Sequence, residues 1–276
     1  MSVPSAAPSQ STTQRATPPA SWETLLVDAV QTPGRMLDAY HAFHSYSFGN
    51  QLLAMFQCQA RGIQPGPLAT YPGWQAKNRH VRRGERAITL CRPITIRQHD
   101  ADAEDEADDV RTIFVYRPQW FVASQTDGAP LTYDTPPTWD RPTALVTLNV
   151  REIPFTLLDG NPQGYAYPDR REIALNPVAA MPVKTTFHEL AHVLLHGSES
   201  LADDHADLPR NLEEVEAEAV ALILTESLGL PGSDYCRGYI QNWLAADRIP
   251  EANARRIFSA ADKILRAGTP GAQRGA

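Results

Sequence analysis

The stretch TTFHELAHVLLHG (185–197) decides how the second half of the chain is built. Its apolar residues Phe187, Leu190, Val193, Leu194 and Leu195 recur at helical spacing, and Gly197 supplies a stop, so a helix is predicted over about 182–196. On a helix, positions i and i+4 sit one turn apart on the same face. His188 and His192 therefore reach one ion together, with Glu189 beside them. Zn²⁺ takes imidazole nitrogens at about 2.0–2.1 Å and keeps a position open in catalytic sites. Other divalent ions accept the same ligands. Glu189 is then placed to act as general base toward water. The plainer alternative is a helix with two surface histidines, but this helix is apolar around them.

A metal held by two histidines needs a third ligand. NLEEVEAEAVAL (211–222) offers Glu213, Glu214, Glu216 and Glu218, beside a core stripe of Val215, Ala219, Leu222 and Ile223. Four carboxylates within six residues would repel one another on a simple solvated face. Glu214 and Glu218 share a face at i, i+4, so one can ligate while the other accepts a hydrogen bond from a ligand imidazole and fixes its tautomer. Glu214, 22 residues after His192, is taken as the ligand and Glu218 as the residue behind it, with the reverse assignment left open. His196 reads as a helix-end histidine favourable to the dipole, and His205 as an exposed loop residue.

The length of 276 residues suggests about two domains. Lys plus Arg is 25 and Asp plus Glu is 32, for a net charge of −7, which argues against a general nucleic-acid binder. At 42% hydrophobic and 21% charged, the composition is that of a globular protein, excluding wholesale disorder, collagen-like and coiled-coil chains. Cys58, Cys91 and Cys236 are odd in number and form no CxxC pair, which points to a reducing cytoplasm. No apolar run approaches the ~20 residues that cross a bilayer, and the N-terminus lacks the features of a secretory signal.

Residues 1–20 are Ser, Thr, Pro, Ala and Gln with one charge, Arg15, and read as a disordered tail. Helices are predicted from SWETLLVDAVQ (21–31), RMLDAYHAFHS (35–45) and residues 50–61, then strands at 87–97, 111–118 and 119–125. The acidic stretch HDADAEDEADD (99–109) reads as a solvated insertion between strands. The Pro-rich segment 129–142 reads as an interdomain linker. The expected organisation is a unit at 21–128, a second unit at 143–268 and a short tail at 269–276. Strands in the second unit are predicted at 153–158 and 171–177, and helices at 182–196, 211–228, 233–245 and 250–267. Strands following helices, then helices again, make the fold class α+β.

The net charge hides an internal asymmetry. Residues 51–99 hold eight basic and one acidic residue, whereas 100–150 hold three basic and ten acidic. The basic segment carries Lys77, Arg79, Arg82, Arg83 and Arg86, interleaved with Tyr71 and Trp74. Basic groups neutralise phosphates and aromatic rings stack on bases, the combination that binds single strands. The alternative is a solvated basic turn with Trp74 in the core.

GNQLLAMFQ (49–57), GWQAKNRHVRRGERAITLCRPI (73–94) and WFVASQTDG (120–128) resemble the N-terminal domain of ArdC-type antirestriction proteins. FHELAHVLLHG (187–197) and EEVEAEAVAL (213–222) resemble that family's zincin-like metallopeptidase domain, and GYAYPDRREIALNP (164–177) resembles the strand lining a zincin cleft, with Tyr165 and Tyr167 facing the cleft or packing within the strand. The resemblance covers about residues 22–245. It implies a small α+β domain binding single-stranded DNA through Trp74, Lys77, Arg79, Arg82, Arg83 and Arg86. It also implies a mostly helical zincin-like domain with a small sheet, in which His188, His192 and Glu214 hold Zn²⁺ and Glu189 is the catalytic acid/base. A cytoplasmic protein of a bacterial plasmid or phage, acting on an unidentified protein substrate, is the corresponding expectation. The run LATYPGW (68–74) departs from the family's more Trp-rich pattern, and the acidic insertion and Pro-rich tail are particular to this chain.

Overall fold

The computed structural model describes residues 18–98, 109–132, 135–156, 161–198 and 210–269. The N-terminal tail, nearly all of the acidic stretch 99–109 and the loop holding His205 lie outside them. Helices α1 (Trp22–Gln31), α2 (Arg35–Phe43) and α3 (Phe48–Arg61) come first. Ser21 caps α1, its hydroxyl accepting from the Thr24 amide at 3.1 Å. Gly34 opens α2 from a left-handed conformation, φ 82°, that a residue without a Cβ adopts freely.

A three-stranded sheet follows in the order β1 (Leu68–Thr70), β4 (Asp109–Val122), β3 (Ile88–Gln98), antiparallel throughout. The two strands predicted at 111–118 and 119–125 are one strand and its end. Ile88 pairs with Trp120 and Thr89 with Pro118, so Gln119 is an extra residue in a bulge beside Pro118. A bulge is where a strand tolerates a residue with no N–H. The outer edge of β3 is covered by side-chain amides from α3. Asn50 Nδ2 donates to the Cys91 carbonyl (2.9 Å) and its oxygen accepts from the Cys91 amide (2.8 Å). Gln57 does the same for Thr89, at 2.8 and 2.9 Å. These contacts satisfy backbone groups that an edge strand leaves open.

The short helix α4 (Tyr71–Ala76) and the two-stranded ribbon of β2 (Arg79–Val81) and β5 (Thr126–Gly128) complete this half. The second half contains α5 (Arg141–Thr147) and a sheet ordered β6 (Arg151–Glu152), β8 (Glu172–Leu175), β7 (Gly164–Tyr167). The strand expected at 153–158 is the two-residue β6 just before it, paired parallel to β8. The chain then runs through α6 (Pro182–Leu195), α7 (Arg210–Ser227), α8 (Ser233–Leu244) and α9 (Glu251–Ala267). None of the described helices is long and apolar enough to cross a membrane. All three cysteines are buried and free.

Among the described residues the hydrophobic core is continuous across the expected division, running from α1–α3 through α7 to α9. Trp22 packs on Phe258 with ring centroids 6.0 Å apart. The Phe48 amide donates to Asp262 of α9 at 3.1 Å. The segment with linker composition is also anchored. Trp139 donates its indole N–H to the Ile264 carbonyl (2.9 Å) and meets Phe187 edge-on at 4.6 Å.

One ion pair ties the halves together. Glu226 of α7 accepts from the amides of Gly34 and Met36, each at 3.0 Å, filling orphan donors at the start of α2. Its partner Arg237 of α8 donates to the Ala29 and Val30 carbonyls in the last turn of α1. The pair is 8% and 7% exposed, so the α1–α2 turn is capped at both ends by charges from the second half.

Candidate metal centre

The helix α6 places His188 and His192 one turn apart, and α7 crosses it to bring up Glu214. The His188 and His192 Nε2 atoms are 3.1 Å apart. Glu214 presents Oε2 at 3.5 Å from His188 Nε2 and Oε1 at 3.7 Å from His192 Nε2. One ligand atom from each residue lies within 4.8 Å of the others, a separation one divalent ion can span. Glu218, one turn along α7, stands behind His188 with Oε1 at 3.2 Å from Nδ1. The same oxygen accepts from Lys184 Nζ at 2.5 Å.

The hydrogen atoms explain what this cluster needs. The Glu218 carboxylate 3.2 Å from His188 Nδ1 favours a proton on that nitrogen, and Nε2 then keeps a lone pair in the neutral ring. His192 also turns Nε2 toward the cluster, and Glu214 is acceptor-only when ionised. Three acceptors thus converge with no intrinsic donor among them, and only a proton or a cation can reconcile them. Burial works against charging His188, but Glu214 and Glu218 outweigh it and raise the pKa. Burial and then the charge of His188 depress His192. The His188 hydrogen bond holds the Glu214 carboxyl below its usual range. A metal requires both imidazoles neutral and the carboxylate ionised, and this donor set fits a divalent ion.

Glu189 is 4% exposed, and burial pushes its carboxyl up to about 7, near the range of a general acid/base at neutral pH. It lines a cavity of about 420 Å³ together with His188, Glu214, Glu218, Lys184 and Tyr235. Gly164, at the start of β7, makes room for it. A Cβ there would stand 2.8 Å from Glu189 Oε1 and 2.8 Å from Thr185 Cγ2. Sequence reading passed over Gly164, Lys184 and Tyr235, which carry no spacing signal.

His196 is more than a helix-end histidine. Its Nδ1 lies 2.9 Å from His192 Nδ1, and its Nε2 lies 2.9 Å from Glu216 Oε2. The signal in the sequence is a third histidine at the same four-residue interval.

Residues 22–120 match the family described as the N-terminal domain of anti-restriction factor ArdC. The crystal structure of antirestriction ArdC protein from R388 plasmid, in its metal-free form, is 20% identical over 90% of this chain and 94% of that one, with a TM-score of 0.53. The Mn(II)-bound form is 21% identical over 91% and 99%, again with a TM-score of 0.53. Residues 22–120 are thus an ArdC N-terminal-type domain, and the chain as a whole shares the fold of ArdC. No curated protein matches the chain.

The basic segment of the ArdC-type N-terminal domain divides into two groups. Arg79 is committed to the fold: Nε donates to Thr126 Oγ1 at 2.8 Å, Nη2 to the Thr126 carbonyl at 2.7 Å and Nη1 to the Ala129 carbonyl. Arg82 is tied to Glu85 at 2.7 Å and to the Ser124 carbonyl at 2.6 Å. Both lace β2 to the β5 region, so less of their charge is open to a ligand than the count suggested. Lys77, Arg83 and Arg86 are exposed. Trp74 does not offer a stacking face. It is 1% exposed and donates its indole N–H to the Phe121 carbonyl at 2.9 Å. An exposed ring in the same segment is Tyr71, 47% exposed at the first position of α4.

Proposed function

We propose that this chain is an ArdC-type antirestriction protein of the cytoplasm, binding single-stranded DNA through its N-terminal domain and carrying a zincin-like, divalent-metal-dependent peptidase site in its second half. The observation that carries the peptidase half is the convergence of His188, His192 and Glu214 beside Glu189 in an open cavity. Zn²⁺ or another divalent ion held by those three residues supplies Lewis acidity to a substrate carbonyl. Glu189 takes a proton from the attacking water and returns it to the leaving amine, a task that suits a carboxyl raised to about 7. His188, and after it Lys184, hold the Glu218 carboxyl ionised against its burial.

The test is metal-dependent cleavage of an unstructured protein such as casein. Cleavage that stops with chelator and with Glu189→Gln supports the reading, with DNA affinity unchanged in the variant. An inert wild type, or cleavage untouched by Glu189→Gln, removes the peptidase and leaves a DNA-binding protein with a non-catalytic metal site.

For the DNA half, Lys77, Arg83 and Arg86 with Tyr71 form the surface that supports binding. Tyr71→Ala is expected to weaken binding to a single-stranded oligonucleotide by about 1–3 kcal/mol, the worth of one stacked base. Its thermal stability stays near wild type. Trp74→Ala is expected to do the opposite, costing about 3–5 kcal/mol of stability through an emptied core site. Equal loss of affinity with unchanged stability in both would remove Tyr71 from the interface.

A further inference from the structure

We propose that His196 and Glu216 form a buried hydrogen-bond relay that sets the tautomer of His192 and so aims its Nε2 lone pair at the metal. The inference rests on the metal reading above and assigns a positioning role to two residues outside the ligand set.

The relay is read from its inner end. Glu216 is fully buried and the His196 side chain is 3% exposed. Glu216 Oε1 accepts from Asn253 Nδ2 at 3.0 Å and lies 3.9 Å from Arg256 Nη1. The Asn253 hydrogen bond and the Arg256 charge from α9 orient the carboxylate, leaving Oε2 to face His196 Nε2 at 2.9 Å. A carboxylate only accepts, so His196 Nε2 carries the hydrogen. In the neutral ring His196 Nδ1 then has a lone pair, and the atom opposite it at 2.9 Å is His192 Nδ1. That nitrogen must donate, which leaves the lone pair of His192 on Nε2, facing His188 and Glu214. Arg256 also donates to the Leu195 carbonyl at 2.5 Å, clamping the last turn of α6 at the relay.

The two ligand imidazoles are thus held differently. Glu218 faces His188 directly from the wall of the cavity. His192 is held through one intermediate ring by a carboxylate in the core. A ligand histidine oriented through its second nitrogen typically gains ten- to a hundred-fold in metal affinity from that partner.

Glu216→Gln tests the direction of the relay without changing volume. The amide oxygen stays with the Asn253 donor and beside the Arg256 charge, so the NH₂ group turns to His196 Nε2. Every hydrogen bond then reverses, and His192 is left with its proton on Nε2. Tautomers are read by long-range ¹H–¹⁵N correlation of the imidazoles in the full-length, metal-free protein. Affinity is read by calorimetric titration with Mn²⁺ or Zn²⁺ alone. Wild type is expected to show His192 as the Nδ1–H form. Glu216→Gln is expected to show the Nε2–H form and a roughly ten- to hundred-fold weaker metal affinity. His196→Gln, which keeps an acceptor toward His192 and a donor toward Glu216, is expected to bind close to wild type, and His196→Leu to fall with Glu216→Gln. An Nε2–H tautomer of His192 in wild type, or a Glu216→Gln chain with unchanged tautomer and affinity, would overturn the relay. Absence of metal binding by wild type with the expected tautomers would instead count against the metal reading, because the tautomer is measured without metal.

Discussion

A Glu226→Ala chain is expected to lose about 3–5 kcal/mol of stability, the cost of leaving a buried charge without its partner. Arg237 would remain in the core against the Ala29 and Val30 carbonyls with no counter-charge. The Gly34 and Met36 amides would lose their acceptor, which adds unsatisfied donors in a buried place. At about 2–4 °C per kcal/mol for a domain of 150–250 residues, the melting temperature should fall by roughly 6–20 °C. The double variant with Arg237→Ala should cost less than the two single changes added together, because the stranded guanidinium is gone. Thermal melts of the three variants against wild type check both statements. A single-variant loss under about 1 kcal/mol, the scale of a surface pair, would show that this pair does not tie the halves together.

His192→Ala carries the largest expected effect on ligand binding. Structural Zn²⁺ sites with four protein ligands are worth about 10–16 kcal/mol, or roughly 3 kcal/mol per ligand. Removing one imidazole should therefore weaken divalent-metal binding by about a hundred-fold or more. The same change leaves His196 and Glu216 without the ring they orient, so no neighbouring nitrogen is held in its place. Calorimetric titration of the variant measures the loss. His188→Ala should behave alike, and Glu218→Gln should lie between it and wild type, since Glu218 touches only the far side of His188.

The helix that carries the ligands was legible because its information is local. Four-residue spacing and apolar flanks state both the helix and the convergence of two imidazoles. Helical phase separates Glu214 and Glu218 from Glu216 along α7, but the acidic run alone does not say which face meets α6 and which meets α9. That needs the packing of three helices, and so Glu216 and His196 stayed hidden. Trp74 shows a similar limit. A tryptophan among basic residues reads equally as platform or core, and the acceptor at Phe121 that fixes it inside is 47 residues away. Arg79 and Arg82 counted as open charge because their backbone acceptors, Ser124, Thr126 and Ala129, belong to a segment distant in sequence. The segment 129–142 has linker composition, yet α5 begins within it at Arg141 and Trp139 docks on α9. Pro and Thr report local conformation, whereas a shared core is a long-range property.

The most direct test of the metal site is the metal content of the purified full-length chain after equilibration with Mn²⁺ or Zn²⁺ and removal of excess. The account predicts one divalent ion per chain, released by chelator and abolished together by His188→Ala and His192→Ala. No stoichiometric ion in wild type, or an ion that both variants retain, would contradict it.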